Sequence, residues 1–190
     1  MSRPPRDALR QEILTAAQVQ FATLGYRATS LQMVADAVGC SKAALLYHFR
    51  TKAAMLEALT ADLFADLAAI YRALPDVAAP DRPRRTLELG VALVVKHRSA
   101  LAMLHGLGDE PDLAAFAQRA EEWTARLRTA MVGARPSATE RAAVLAFEHG
   151  VLGAALGLQD LDDAALTDAL LQLGARIFVI DPGTLAPATL

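Results

Sequence analysis

The chain has 190 residues, of which 54% are hydrophobic, 21% are charged and 5% are aromatic. So apolar a composition excludes a disordered chain, and the few aromatics point to a core of Ala, Leu and Val, as in helical proteins. Residues 1–60 hold seven Lys or Arg and four Asp or Glu (+3), whereas residues 61–190 hold twelve and seventeen (-5). The net positive charge of residues 1–60 favours an anionic partner for this segment, with ordinary solvated surface as the alternative.

Cysteine usage and hydropathy predict where the protein works. Cys40 is the single cysteine, and the N-terminal residues lack the apolar stretch of a secretory signal. The longest apolar runs, such as residues 150–158, are far below the roughly 18 to 20 residues that span a bilayer. We therefore expect a soluble, cytoplasmic protein with no membrane partner. Cys40 precedes a helix start that favours a thiolate, so redox sensing is an alternative to simple packing in the turn.

The first two predicted helices are marked by clear end signals. Apolar residues recur at helical spacing over residues 7–24, and Gly25 ends this helix. Thr29 and Gln32 form a capping-box pattern at the start of a short second helix. Gly39 is expected to end it.

A third helix of about two turns is predicted from Lys42 to about Phe49, with Ser41 as its cap. An isolated helix of fewer than about 12 residues is marginal in water, so this one must pack against the two helices before it. The second and third helices, joined by "GCS", therefore predict a helix-turn-helix.

This third helix is expected to have one packed face and one free face. At 100° per residue, Leu45 and Phe49 lie together, whereas Ala43 and Tyr47 point the other way. The free face suits a DNA groove, because recognition helices read base edges while hydroxyls, helix N-termini and basic side chains bind phosphates. The candidate DNA-binding residues are Thr29, Ser30, Gln32, Ser41, Lys42, Ala43, Ala44, Tyr47, His48 and Lys52.

The rest of the chain is predicted to be helical too. A leucine stripe indicates one long helix over residues 52–74, and Pro75 stops it. Three prolines in residues 74–84 indicate a linker or corner. Further helices are expected over residues 84–97, 99–107, 111–132, 138–158 and 162–180, followed by a frayed tail over 184–190. The β-branched residues 176–180 leave a strand open as an alternative.

Residues 29–59, "TSLQMVADAVGCSKAALLYHFRTKAAMLEAL", resemble the DNA-binding domain of TetR-type regulators. The SK, YHF and following K of "SKAALLYHFRTK" stand at the family's positions, and the resemblance covers roughly residues 7–60. Leu46 stands where the family most often has an aromatic residue, and Tyr47 takes the next place. The resemblance therefore implies that the phosphate-contacting tyrosine is displaced by one position.

The resemblance also implies an architecture and a mode of action. It implies an all-α homodimer with a helix-turn-helix domain over residues 1–51, extended by the first turn of a connecting helix to about residue 60. The connecting helix and an effector-binding and dimerisation domain would occupy residues 52–190. Members are mostly repressors that a small molecule releases from DNA.

A dimer interface is expected on the last two helices. Gly150, Gly153 and Gly157 lie in one predicted helix, and each helical glycine costs roughly 0.8 to 1 kcal/mol against alanine, which suggests another backbone packed close. We predict a four-helix interface with two helices from each subunit. The alternatives are close packing inside one subunit and the lining of a cavity. The candidate interface residues are Val144, Phe147, Val151, Ala154, Ala155, Leu166, Leu170, Leu173 and Ile177.

An effector pocket is expected among the middle helices, because pockets are mostly apolar with a few polar groups. The candidates are Leu93, His97, Met103, Leu104, His105, Phe116, Trp123, Leu127, Met131 and Phe147. Each of them, taken alone, also fits an ordinary core or surface position. The sequence has no HExxH motif and no paired Glu-x-x-His pattern, so we predict no metal, no cofactor and no catalytic residues.

The preferred hypothesis is a DNA-binding transcriptional regulator that is not an enzyme. It would bind a palindromic double-stranded DNA operator as a homodimer and be released by an unidentified small molecule. A small helical enzyme acting on an apolar substrate is one alternative, which needs a convergent nucleophile, base and orienting group. A helical adaptor that binds protein through residues 42–48 is the other. Steep salt dependence separates DNA binding from both.

Overall fold

The structure, a computed structural model, describes residues 6–105, 111–158 and 160–190, and all the regular structure in these ranges is helical. The α-helices, in chain order, are α1 (Arg6–Leu24), α2 (Leu31–Val38), α3 (Lys42–His48), α4 (Lys52–Leu59), α5 (Ala61–Ala73), α6 (Arg82–Lys96), α7 (Arg98–His105), α8 (Ala114–Val132), α9 (Ala138–Gly157) and α10 (Asp163–Phe178). Short 3-10 turns occupy Leu74–Asp76, Ala79–Asp81, Pro111–Leu113 and Pro182–Thr184. The all-α prediction is confirmed. No helix of the described ranges is long and apolar enough to cross a membrane.

The chain forms two compact units. The N-terminal unit comprises the described residues of Met1–Asp62 and Ser99–Ala117, and the C-terminal unit those of Leu63–Arg98 and Gln118–Leu190. The sequence-based domains divide the chain at a single point, after residue 51. In the structure, the described residues of Ser99–Ala117 instead belong to the N-terminal unit, although they follow residue 51 in the chain.

Local hydrogen bonds set the ends of the helix-turn-helix. The hydroxyl of Ser30 accepts a hydrogen bond from the N–H of Met33, and that of Ser41 accepts one from Ala44, so each serine caps the helix that follows it. Gly39 ends α2 in the left-handed conformation at φ 72°, as glycine readily does. These short helices are therefore defined by their own sequences.

Thr29 does not form the predicted capping box. It lies one residue before the cap of α2, is 2% exposed, and its Oγ1 donates to the carbonyl of Gly25 at 2.9 Å. Gln32 donates to Asp36 instead of reaching back to the helix start. The prediction was wrong because Thr29 closes the turn after α1, which leaves Ser30 as the cap.

The predicted single helix over residues 52–74 is interrupted at Thr60. This residue has φ -105° and ψ 3° and separates α4 from α5. Its buried hydroxyl donates to the carbonyl of Leu56 at 2.8 Å, so the threonine side chain serves as a hydrogen-bond donor at the end of α4. The leucine stripe runs across the break, because one non-helical residue barely alters an apolar pattern.

Helices α6, α9 and α10 pack together in the C-terminal unit. The buried residues of its core cluster are Leu87, Val91, Val95, Val151, Leu166, Leu170 and Leu171. Gly174 on α10 lets this helix approach α6 closely, since a Cβ at this position would overlap the Cδ atoms of Leu87 and lie 3.1 Å from Phe147 Cε2. Close packing of this core therefore requires glycine at position 174 as well as the buried apolar side chains.

The end of the chain was predicted to be frayed, but in the structure it packs against the core of the C-terminal unit. Leu185 packs against the core cluster, and the N–H of Ala186 donates to Glu88 Oε1 at 3.2 Å. The buried Glu88 carboxylate also accepts from Arg84 at 2.9 Å and from Arg85 at 3.1 Å. A buried carboxylate needs such partners, and here they tie the tail to α6. Helix α10 continues to Phe178, so no strand forms over residues 176–180.

Candidate nucleic-acid interface

The two faces of α3 are oriented as its sequence predicts. Leu45 is fully buried and Phe49 is buried at the end of the helix, whereas Ala43 is exposed and Tyr47 is 67% exposed. The rings of Tyr47 and His48 lie edge to face with centroids 5.3 Å apart. A tyrosine this exposed contributes little to the core, so the predicted phase of α3 is confirmed.

Exposed polar residues flank this free face at the start of each helix. Ser30 and Gln32 are exposed on α2, and Ser41 and Lys42 are exposed at the start of α3. The N-terminal end of a helix carries partial positive charge, so a phosphate is favoured beside these residues. Ala44 and His48 are half-buried and complete the set on α3.

Thr29 and Lys52, which were predicted to contact phosphates, form hydrogen bonds inside the N-terminal unit instead. Thr29 is buried and its hydroxyl is bonded to Gly25, so it has no surface to offer a duplex and its assignment as a DNA-binding residue is corrected. The Lys52 ammonium donates to the carbonyl of Tyr26 at 2.8 Å and lies 4.4 Å from the centre of its ring. Lys52 therefore anchors the start of α4 to the turn after α1.

Two exposed arginines near α3 were not among the predicted residues. Arg50 follows the helix directly, and the guanidinium of Arg10 on α1 lies 5.1 Å from the centre of the Phe49 ring. Arg50 stands beside the recognised motif, so its basic side chain was a usable signal. Arg10 had no comparable signal, because only folding brings α1 to the end of α3.

The N-terminal unit matches a known family. Residues 13–59 match the model of bacterial regulatory proteins of the tetR family. This part of the chain is similar to that family. The similarity supports the hypothesis of a DNA-binding regulator.

Two curated relatives and two solved structures show how far this similarity extends. The HTH-type transcriptional repressor KstR2 of Rhodococcus jostii is 34% identical over 111 residues, which are 55% of this chain and 52% of that protein. KstR2 of Mycolicibacterium smegmatis is 29% identical over 97 residues, or 50% and 47% of the two chains. The chain thus spans about half the length of the curated relatives it matches.

The solved structures extend the similarity of fold to nearly the whole chain. A tetR-family regulatory protein from Rhodococcus RHA1 superposes with a TM-score of 0.68 at 23% identity, covering 95% of this chain and 98% of that one. AmtR of Mycobacterium smegmatis gives a TM-score of 0.60 at 28% identity, covering 98% and 99%. The helical C-terminal part is therefore included in the similarity of fold to these two proteins.

The predicted dimer interface is partly core. Val144, Val151, Leu166 and Leu170 are all buried within the C-terminal unit, so their assignment to an interface was wrong. Val151, Leu166 and Leu170 belong to the core cluster that includes residues of α6. Of the other candidates, Phe147, Ala154 and Ile177 are half-buried, Leu173 is 38% exposed, and the side chain of Ala155 lies outside the described residues.

The other side of α9 and α10 is apolar and open. Leu145 is 46% exposed on α9, and Leu173 is its exposed counterpart on α10. A Cβ at Gly153 or Gly157 would meet nothing within 4 Å, and one at Gly150 would meet only Leu173, at 3.8 Å. Packing inside the described subunit therefore does not explain these glycines.

The predicted pocket residues are distributed over both units. Met103, Leu104 and Phe116 belong to the N-terminal unit, while Leu93, His97, Trp123, Leu127, Met131 and Phe147 belong to the C-terminal unit. The side chain of His105 lies outside the described residues. An open cleft of about 820 Å³ in the C-terminal unit includes Met131 in its lining. Trp123 stacks on another residue of this lining, Tyr71, with ring centroids 4.8 Å apart.

His97 has a structural partner. Its Nε2 lies 2.6 Å from Asp66 Oδ2, and the ammonium of Lys96 lies 2.8 Å from the same oxygen. Hydrogen bonds from Lys96 and then from His97 hold the pKa of the Asp66 carboxyl below its usual value. No group of three His, Cys, Asp or Glu side chains in the described ranges is arranged to hold a metal ion.

Cys40 is half-buried in the turn between α2 and α3. Burial raises the pKa of its thiol, and the nearby Glu12 carboxylate acts in the same direction. A reactive cysteine needs a lowered pKa, so the packing interpretation is favoured over redox sensing.

Proposed function

We propose that the chain is a transcriptional repressor that binds a palindromic operator as a homodimer and is released by a small molecule. The free face of α3 carries this proposal. Leu45 and Phe49 hold the helix inward, and Ala43, Lys42 and Tyr47 are left outward. A small residue beside a cation and a tyrosine hydroxyl suits entry into the major groove between two phosphate strands.

The phosphate contacts we propose come from both ends of α3. Ser30, Ser41 and Lys42 are exposed at helix starts, and Arg50 with Arg10 adds positive charge at the other end. Each phosphate contact lowers log affinity by about 0.9 per log unit of salt. A protein-binding adaptor or an enzyme acting on an apolar substrate would not show this slope.

The test begins with selection of bound fragments from a genomic library. Fluorescence anisotropy on an enriched fragment then gives affinity at several salt concentrations. Tyr47→Ala should weaken binding by about tenfold, the value of one well-placed contact, with thermal unfolding unchanged. Val19→Ala, an exposed apolar change on α1, is the matched control and should leave binding intact. Failure to enrich any symmetric fragment would contradict the proposal.

The homodimer we propose uses the open side of α9 and α10. Exposed leucines and helical glycines without an internal packing role favour close approach of a second backbone, and an isologous contact of this kind is self-complementary. Dimers also place two recognition helices about 34 to 36 Å apart, the spacing of successive major grooves. Replacing Leu145 and Leu173 by Glu should give monomers in analytical ultracentrifugation. Dimers of undiminished stability would rule out this surface.

Release by a small molecule requires that the ligand favour one arrangement of the chain over another. A ligand shifts such an equilibrium only by its difference in affinity for the two arrangements. The cleft of the C-terminal unit is the place where we propose that this difference arises. Operator binding with and without a bound ligand measures it directly.

A further inference from the structure

The cleft in the C-terminal unit combines apolar walls with two guanidinium groups. It lies at the end of α5, the start of α6 and the end of α8, and has a volume of about 820 Å³. Leu74, Pro83 and Met131 supply apolar surface, and Arg82 and Arg126 supply charge. Pockets of this size typically bind a largely apolar small molecule that a few polar groups orient.

Arg82 retains unused hydrogen-bonding capacity at this cleft. Its Nη2 donates to the carbonyl of Val77 at 3.1 Å, while its Nε is buried and has no hydrogen-bond partner among the described residues. A buried donor without an acceptor is energetically unfavourable. The half-buried guanidinium group of Arg82 favours an anionic oxygen in the cleft over a neutral one, because hydrogen bonds between ions are shorter and stronger.

Arg126 presents the second positive charge. Its guanidinium lies 5.2 Å from the centre of the Trp123 ring and 5.9 Å from that of Tyr71. Within the described part of the chain, no carboxylate forms an ion pair with it. A guanidinium held over ring faces keeps its N–H groups available for an acceptor.

The acidic residue of the lining does not neutralise both arginines. Glu140 accepts a hydrogen bond from the N–H of Ser137 at 2.7 Å, and this bond holds the pKa of its carboxyl below the usual value. Its carboxylate caps α9 and stays ionised near neutral pH. The charged lining residues are thus two arginines and one glutamate, which leaves an excess of positive charge.

We propose that this cleft binds an amphipathic carboxylate. The carboxylate contacts Arg82 and Arg126, whose planar guanidinium groups match its two oxygens, and the apolar part lies against Leu74, Pro83 and Met131. That this ligand is also the effector that releases DNA rests on the function proposed above. The binding itself does not depend on that function.

Three amphiphiles with the same decyl chain test the charge preference: decanoate, decanol and decyltrimethylammonium, each below its micelle concentration. Trp123 is the single tryptophan of the chain and lies beside Arg126, so its fluorescence reports occupancy, with calorimetry as a second measurement. Decanoate should bind about tenfold more tightly than decanol, as expected for a charge-assisted hydrogen bond. Decyltrimethylammonium should bind most weakly.

Substitutions of the lining arginines test whether the preference for decanoate over decanol arises in the cleft. Arg126→Gln should reduce decanoate affinity about tenfold and leave decanol affinity unchanged. Arg141→Gln removes an exposed arginine of α9 that does not line the cleft, and it should change neither affinity. Arg82→Lys keeps the charge but not the planar group, so it tests the second contact with less risk to the fold. Thermal unfolding of each variant establishes that it is folded.

Two results would overturn the proposal. Equal affinity of the unmodified chain for decanoate and decanol would do so without any variant. Full decanoate binding by Arg126→Gln and Arg82→Lys would do so as well. Operator binding separates the two proposals: decanoate binding without operator binding supports the cleft and contradicts the regulator, whereas operator binding without decanoate binding removes the cleft alone.

Discussion

The recognition helix α3 and the paired helices α9 and α10 differ in how clearly their sequences mark the buried side. In α3, Leu45 is buried and Tyr47 is exposed, so helical spacing identifies the inner face. Helix α9 is apolar on both sides, with Val151 buried and Leu145 exposed. Periodicity finds a helix in both cases, but it chooses the inner side only where the opposite side is polar.

The largest expected effect tests that difference on α10. Leu166 is fully buried, so Leu166→Ala should lower the free energy of unfolding by about 2–5 kcal/mol through lost burial and a cavity. Leu173→Ala, at a 38% exposed position, should cost the subunit much less and weaken the proposed dimer more. Urea unfolding measures the first effect and sedimentation the second. Similar stability losses in both variants would contradict the assignment of the two sides.

A pair of glycine variants sharpens the same contrast. Gly174→Ala introduces a methyl group that overlaps Leu87, and overpacking of this kind typically costs about 1–3 kcal/mol. Gly153→Ala meets nothing within 4 Å, so it should stabilise the subunit by up to about 1 kcal/mol through helix propensity. Thermal unfolding at low protein concentration separates the two changes. A dimer weakened by Gly153→Ala would support close packing of a partner at this glycine.

The N-terminal unit was the more predictable of the two for a physical reason. Its caps at Ser30 and Ser41 are local, so short sequence patterns determine the turns and the phase of α3. The engagement of Thr29 and Lys52 was not predictable, because their partners lie in the turn after α1 and only the folded chain brings them together. In general, a side chain's chemistry shows what it can bind, and tertiary structure decides what it does bind.

The C-terminal unit was less predictable because its decisive features are relations between distant segments. The docked tail depends on Glu88, nearly a hundred positions before Ala186. The cleft brings Arg82 together with Arg126, which belong to separate helices with no shared motif. Local sequence patterns predict that a helix forms. They do not predict which element packs against each of its faces or which group pairs with each of its charged side chains.

Variants of Lys42 and Lys52 test which lysine of the N-terminal unit contacts DNA and which stabilises the fold. Lys52→Ala removes a hydrogen bond to the Tyr26 carbonyl and a cation–π contact, so it should destabilise the unit by about 1–2 kcal/mol. Lys42→Ala, at an exposed position, should leave stability within about 0.5 kcal/mol and reduce the salt slope of operator binding by about one unit. An unchanged slope for Lys42→Ala would remove Lys42 from the phosphate contacts.

The smallest predicted effect lies at the end of α10. Val179 is 92% exposed and adopts φ 55°, a left-handed conformation that costs a β-branched residue roughly 1–2 kcal/mol. Val179→Gly should therefore raise the free energy of unfolding by about 0.5–1 kcal/mol, because part of the relieved strain is lost to the greater freedom of glycine when unfolded. Val179→Ala keeps a Cβ in the same conformation and serves as the control. Destabilisation by glycine, matched by a weaker dimer, would instead mean that a second subunit covers this valine, extending the open side of α9 and α10 to the helix end.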